Sequence, residues 1–268
     1  MLSREELENI ARIKRISIVN AEKDYLQELI LRSIYSLAGK ALVFKGGTCL
    51  YKIYKLGRFS EDLDFTLNGK IGLEKLAAHV ISDLGMLGIK GKVKEIKEHA
   101  NETNIRLLMN GPLFKGGAET QCFIPLNISK KEKIILEPAK EGVIPLYREI
   151  GSFDVFAMQE KEILAEKIRA ISTRMKPRDI YDTWFLLTKK PVEFDLALAN
   201  KKLALYGLAF EPAAFRKKVE SMEGLWLADL RHLIIVDLPD FGIVKKEILA
   251  HIDNCARCST KWAQLSDE

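Results

Sequence analysis

The spacing of apolar positions changes character twice along the chain. Over the first forty residues it is helical, with Leu26, Leu29, Ile30, Ile34 and Leu37 on one stripe. Ser3 followed by Glu6 has the form of a capping box, so a first helix opens there and runs to about Arg15. A second helix is expected from Asn20 to Gly39, where glycine can close it. The middle then reads differently. "ALVFK" (Ala41 to Lys45) is a short buried strand, "TCLYKIYKL" a short helix closed by Gly57, and "LDFTL" (Leu63 to Leu67) another strand. A helix over Leu73 to Leu84 precedes four strand-like segments: Lys90 to Lys97, Asn104 to Asn110, Gln121 to Ser129 and Lys133 to Leu136.

From Gln159 onward the helical period returns. "QEKEILAEKIRAISTRM" is amphipathic, and Pro177 stands where a new helix, "RDIYDTWFLLTKK", can begin. Further helices are expected near Asp195 to Tyr206, Pro212 to Trp226 and Ile243 to Trp262. The pattern predicts an α+β domain over residues 1–150, with a mixed sheet, and a helical C-terminal domain over residues 151–268, divided near Gly151.

A chain of 268 residues can bury a sizeable core, and 47% hydrophobic with 29% charged residues fits a compact globular protein. The longest apolar runs, such as "LIIV" at Leu233 to Val236, fall far short of the roughly 20 residues that span a bilayer. The charged start "MLSREELENIARIKR" lacks the apolar core of a secretory signal, so a cytoplasmic location is expected and no membrane partner. Cys49, Cys122, Cys255 and Cys258 then read as thiols. The net charge of +5 is compatible with a polyanionic partner without demonstrating one.

The candidate chemistry lies between Phe44 and Leu67. Residues two apart on a strand point to the same face, so Asp62 and Asp64 should project together while Leu63 faces the other way. Two carboxylates this close are tolerable at neutral pH chiefly when a cation sits between them. Hard oxygen ligands favour Mg²⁺, which binds through one or two carboxylates together with substrate phosphates. Gly46 and Gly47 follow a strand and precede a helix, where backbone can approach a phosphate closely, and Thr48 adds a hydroxyl at the cap position. A triphosphate on the glycine turn with metal on the aspartates would give the geometry of phosphoryl transfer. Singly, each feature is also what a solvated acid pair or an ordinary turn looks like; it is their order and spacing that carry the reading.

The string "KGGTCLYKIYKLGRFSEDLDF" resembles the signature of the AbiEii/AbiGii-type nucleotidyltransferases, toxins of type IV toxin–antitoxin pairs within the polymerase-β-like superfamily. Gly46, Gly47, Thr48, Arg58, Ser60, Asp62, Asp64 and Phe65 match in place. "LAEKIRAISTRMKPRDIYDTWFLL" resembles the family's second block, through Lys167, Arg169, Arg174, Arg178, Asp179 and Asp182. The resemblance implies a polymerase-β-like fold, with the nucleotide in the cleft between the two domains. It also implies that a nucleoside monophosphate passes from an NTP to an acceptor. Asp62 and Asp64 would hold Mg²⁺, and Gly46, Gly47, Thr48 and Ser60 the triphosphate, with Arg58 and Lys167 neutralising its charge and Arg174 nearby. Asp182, with Asp179, would orient that lysine or the acceptor. The acceptor implied is RNA, at a tRNA 3′ end, and the protein partner an antitoxin. Read from spacing alone, Lys167 and Arg174 share one helix face and Asp179 and Asp182 another, which equally describes interhelix ion pairs; Arg178 can pair with Asp182 four residues on.

One departure stands out. The superfamily draws a third carboxylate from a neighbouring strand as general base, and "CFIPLNIS" resembles that strand but carries Asn127 at the acid's place. Glu98 or Glu137 could substitute, the reaction could need no strong base, or catalysis could be weakened. Two alternatives therefore accompany the main reading: a small-molecule, antibiotic-type nucleotidyltransferase, and a nucleotide- or RNA-binding module whose catalytic strand has decayed. Weaker signals are His251, Cys255 and Cys258, three zinc-ligand types without a fourth, and the basic "FRKKVE" at Phe215 to Glu220, which reads as a solvated helix face. "LFKGGAET" at Leu113 to Thr120 repeats the glycine pair without a following helix and reads as a loop.

Overall fold

The computed structural model describes residues 2–265, with side chains to Asp253. The chain divides into two compact units, Met1–Met158 and Gln159–Glu268. In the first, helices α1 (Arg4–Lys14) and α2 (Ile18–Tyr35) lead into β1 (Leu42–Lys45), α3 (Gly46–Lys52) and β2 (Leu63–Leu67). Helix α4 (Leu73–Met86) follows, then β3 (Gly91–Glu98), β4 (Glu102–Met109), β5 (Cys122–Ser129), β6 (Ala139–Val143) and β7 (Phe153–Ala157). The capping box forms as the sequence predicts, with the Ser3 hydroxyl accepting from the Glu6 amide and the Glu6 carboxylate accepting from Ser3.

The seven strands make one mixed sheet in the order β3-β4-β5-β2-β1-β7-β6. β2 lies near its middle, antiparallel to β1 and parallel to β5. β1 is buried at all four positions, whereas β4 alternates. In β4, Thr103, Ile105, Leu107 and Met109 are buried while Asn104, Arg106 and Leu108 stay partly solvated. β5 also turns Ile124, Leu126 and Ile128 inside, although Pro125 on its other face is buried as well. Helix α2 packs against β5 and β7, and α4 against β3, so one face of the sheet is covered by helices.

Two strands escape the sequence pattern. β6 and β7 pair with each other, and β7 adds parallel to β1 beyond Gly151, so the sheet closes only at Ala157. The expected strand Lys133 to Leu136 is irregular instead. Its β-branched residues have the propensity, but β5 is already flanked by β4 and β2 and offers no free edge.

The second unit is helical: α5 (Glu160–Thr173), α6 (Pro177–Trp184), a π-helical turn at Phe185–Lys189, α7 (Leu196–Ala204), α8 (Pro212–Glu220), α9 (Trp226–Leu230) and α10 (Phe241–Leu265). The single helix expected over Pro212 to Trp226 is broken after Glu220, and a 3-10 turn at Glu223–Leu225 leads into α9. The side chains of Cys255 and Cys258 lie outside the described residues. Among the described residues no helix is long and apolar enough to cross a membrane, and Cys49 and Cys122 are buried cysteines outside any disulfide.

Ion networks tie the helices of each unit. In the first, fully buried Asp24 on α2 meets the Lys52 ammonium at 2.6 Å, the Lys14 ammonium, and the Tyr147 hydroxyl at 2.7 Å. Burial alone would raise the Asp24 carboxyl; the two lysines overcome it and hold the group below the ordinary range. In the second, Lys202 on α7, 1% exposed, bridges Glu162 at 2.6 Å and Glu166 at 3.0 Å on α5. Removing one member of such a set leaves an uncompensated buried charge. Asp24→Ala should therefore cost about 3–5 kcal/mol in urea unfolding, against near zero for exposed Glu8→Ala, whose Arg4 pair is solvated.

Candidate active site

The Asp-x-Asp motif sits at the start of β2. Leu63 and Phe65 are fully buried, and Phe65 packs on Phe44 of β1 with ring centroids 5.5 Å apart. That packing fixes the register Lys45↔Asp64 and Phe44↔Phe65, which turns Asp64 to the opposite face of the sheet. Asp62 lies just before the strand and remains solvent-exposed as a residue. Its carboxyl is pushed upward, first by burial, then by the charges of Asp64 and Glu61, against smaller opposing effects of Lys23 and Arg106. The two acids thus feel each other, as the spacing predicts.

The glycine pair faces these acids. Gly46 has φ of +73°, a left-handed conformation, and a Cβ there would overlap the Asp64 Oδ2. A Cβ on Gly47 would lie 2.7 Å from the Arg58 Nη2 and 2.7 Å from the Ser60 Oγ. Both glycines are therefore required by close approach: one lies against the Asp64 carboxylate, the other against Arg58 and Ser60. The pair opens α3 itself, and α3 spans only seven residues, so its dipole has little length over which to build.

Several predicted residues take places that spacing did not reveal. Thr48 is corrected as a cap and as a phosphate contact: it is fully buried and its hydroxyl donates to the Asp62 carbonyl, tying α3 to the acid strand. Arg58 is 2% exposed and its Nη1 donates to the Phe59 carbonyl at 3.0 Å, beneath the glycine turn. The loop that carries Ser60 and Glu61 is held by Gln27 of α2, whose amide donates to both carbonyls at 3.1 and 2.9 Å. Lys23 adds an ion pair to Glu61 at 2.9 Å.

Asn127 is the register partner of Asp64 across β5 and β2. Its amide donates to the Asp64 Oδ1 at 2.9 Å, and its own oxygen accepts from the Arg106 Nη1 at 2.9 Å. The amide orientation is thus set by the guanidinium, and one carboxylate oxygen of Asp64 is spoken for. Glu98 and Glu137 do not join them; each forms a surface ion pair, with Lys130 and Lys40. Sequence reasoning missed Arg106, and it missed Lys45, which pairs with Glu132 while buried beside Asp64. Lys45 immediately precedes the glycine pair, the one signal that could have found it.

The donor set fits a hard divalent ion in part. Among the described residues no group of three His, Cys, Asp or Glu side chains converges, so the protein offers Asp62 and Asp64 and leaves the remaining positions to phosphate and water.

In the second unit, the Lys167 ammonium on α5 lies 2.6 Å from Asp182 and 2.9 Å from Asp179, both on α6 and both fully buried. Arg174, at the end of α5, forks onto Asp179 with bonds of 2.7 and 2.9 Å. Burial by itself would raise Asp179; Lys167 and Arg174 outweigh it and hold the carboxyl far below its ordinary value. Arg178 does not pair with Asp182, because Asp182 is engaged by Lys167; its guanidinium turns to Asp229 on α9 at 2.8 Å.

A mixed sheet with an Asp-x-Asp strand beside a glycine turn, followed by a helical unit, defines a nucleotidyltransferase. The chain belongs to the AbiEii nucleotidyltransferase toxin family of type IV toxin–antitoxin systems, whose family model matches residues 29–244. It is therefore a nucleotidyltransferase, and the family implies an NTP substrate and an antitoxin partner. Among solved structures it is similar in fold to JHP933 from Helicobacter pylori, at 20% identity and a TM-score of 0.61, covering 94% of this chain and 98% of that one. It is also similar to MenT4, a nucleotidyltransferase toxin from Mycobacterium tuberculosis, at 18% identity and a TM-score of 0.66, covering 94% and 88%. No curated protein matches by sequence.

Two predictions follow from this geometry. Gly46→Ala should lose at least about tenfold in ATP affinity, because it adds overlap with Asp64 to a backbone strain of about 1–3 kcal/mol. Gly88→Ala, at φ of +80° but with open space around it, should carry only the strain cost in stability, with ATP binding intact. The Asp179 carboxyl, depressed in the folded state, contributes stability above its unfolded pKa that is lost as pH falls through the folded value. Asp179→Asn should accordingly lower stability at neutral pH and flatten the acid limb of an unfolding-versus-pH curve.

Proposed function

We propose that this protein transfers a nucleoside monophosphate from an NTP to the 3′ end of an RNA, a tRNA among them, in a Mg²⁺-dependent reaction. The observation that carries the reading is the close approach of Gly46 to the Asp64 carboxylate and of Gly47 to Arg58 and Ser60, which leaves no room for a Cβ at either glycine. Backbone at such a turn can approach a phosphate chain more closely than any substituted residue allows.

In this reading Asp62 and Asp64 hold the metal, which when bound would neutralise phosphate charge and acidify the attacking hydroxyl. Gly46, Gly47 and Ser60 hold the triphosphate, while Arg58, fixed under Gly47, supplies positive charge from below. Thr48 acts through the backbone by locking α3 to Asp62. Lys167, oriented by Asp179 and Asp182 and flanked by Arg174, is the cation that the second motif holds in a fixed orientation. The acceptor oxygen forms a bond to the α-phosphorus as the bond to the bridging oxygen breaks, and the electron pair leaves with pyrophosphate. Asn127 cannot take the acceptor's proton, so that proton passes to solvent or phosphate; its amide and Arg106 fix the Asp64 carboxylate.

Incubating the protein with Mg²⁺, labelled NTPs and total tRNA should label RNA, and EDTA should abolish the signal. Asp64→Ala should lower labelling by more than about 100-fold, beyond what loss of a mere supporting partner costs. Labelling that survives Asp64→Ala would refute the metal site. Labelling of an aminoglycoside in place of RNA would assign the antibiotic-type activity.

A further inference from the structure

We propose that the solvent-facing side of β3, β4 and β5 is a track for a single-stranded RNA end leading to Asp64, an inference that rests on the RNA-acceptor reading above. The register lays side chains of this face in rows across the strands. One row runs Asp64, Asn127, Asn104, Lys97; the next is Pro125, Arg106, Glu95; the third is Phe123, Leu108, Lys92. Because side chains alternate along each strand, all these residues share the face opposite the buried Ile105, Leu107, Ile124 and Leu126; Pro125 is itself buried within it, while Phe123, Lys92 and Lys97 are exposed and Asn127, Asn104, Arg106 and Leu108 are partly solvated. The first row therefore passes without interruption from the proposed metal ligand to the outer strand.

Phe123 is 40% exposed in the body of β5, although the opposite face of that strand is wholly buried. A β-bulge between Val93 and Glu95 lets Lys94 lean over this ring, with its ammonium 5.7 Å from the centroid. Lys92 and Lys94 are exposed and form no ion pair among the described residues, whereas Lys97 is held by Glu95 at 2.7 Å. The face thus presents an aromatic ring with the Lys94 ammonium over it, the exposed Lys92 ammonium, and the Asn104 amide, whose nitrogen donates to Glu102 at 3.0 Å and whose oxygen can accept from a base edge. That combination suits stacked bases, a phosphate backbone and base edges. A protein partner would want a wider apolar centre than Phe123 and Leu108 supply. Phe123 stands four residues along β5 from Asn127, about 13 Å at the rise of a strand, which a couple of nucleotides can span.

The test is binding of an unstructured, fluorescein-labelled RNA of about twelve nucleotides to the full chain, read by anisotropy over a range of salt. Phe123→Ala should weaken it by about tenfold. Lys92→Ala with Lys94→Ala should make the slope of log affinity against log salt shallower by about 1.4. ATP affinity with Mg²⁺ should stay unchanged in both. The lysine pair is exposed, so the test stands even if Phe123→Ala folds poorly. RNA binding and labelling at parental levels in both variants would overturn the track while leaving the transferase reading intact. A parent that binds ATP but neither binds nor labels RNA would overturn both. Binding of polyglutamate as tight as that of RNA and indifferent to Phe123 would also overturn the proposal and assign the face to acidic proteins.

Discussion

The Asp64 carboxylate can occupy its place only because Gly46 has no side chain. A strand in the middle of the sheet delivers the acid, the turn at the end of β1 comes up against it, and a single methyl on that turn would overlap the carboxylate oxygen. Everything else near the site reinforces this approach. Phe44 and Phe65 lock the register of the two strands, the Thr48 hydroxyl ties the helix after the turn to Asp62, and Gln27 holds the loop between them. The Asp62 carboxyl is pushed upward by burial and by the charges of Asp64 and Glu61 beside it.

Charge is handled differently away from this turn. The Asp24 set and the Lys202 set each match buried carboxylates with buried ammoniums at hydrogen-bonding distance. The Lys167 group is built in the same style, yet it carries the family's second motif, and Arg174 at its edge keeps nearly half its side chain in solvent. A compact ion cluster is equally a support for a helix pair and a way to hold one cation in a fixed orientation.

Local pattern made most of the fold legible. β2 falls on the five residues expected of it, and the helices through α7 lie within a few residues of their predicted places, since their apolar stripes are long and regular. β6 and β7 were missed because "AKEGV" and "FDVFA" are short and carry charge on an outer part of the sheet, where burial imposes little pattern. Lys133 to Leu136 failed in the opposite sense, having propensity without a partner strand.

The sequence by itself determined which acids and glycines would meet, because a two-residue strand period and a strand-turn-helix string leave few ways to arrange them. It could not determine what each neighbouring side chain would do. Thr48 was readable as a phosphate ligand until its hydroxyl was found against the Asp62 carbonyl. Arg106 gave no signal until β4 came to lie beside β5 and aimed it at Asn127, and Arg178 chose Asp229, fifty-one residues away, over Asp182 on its own helix. These outcomes depend on contacts between residues distant in the chain, which only the pairing of strands and the packing of helices can set.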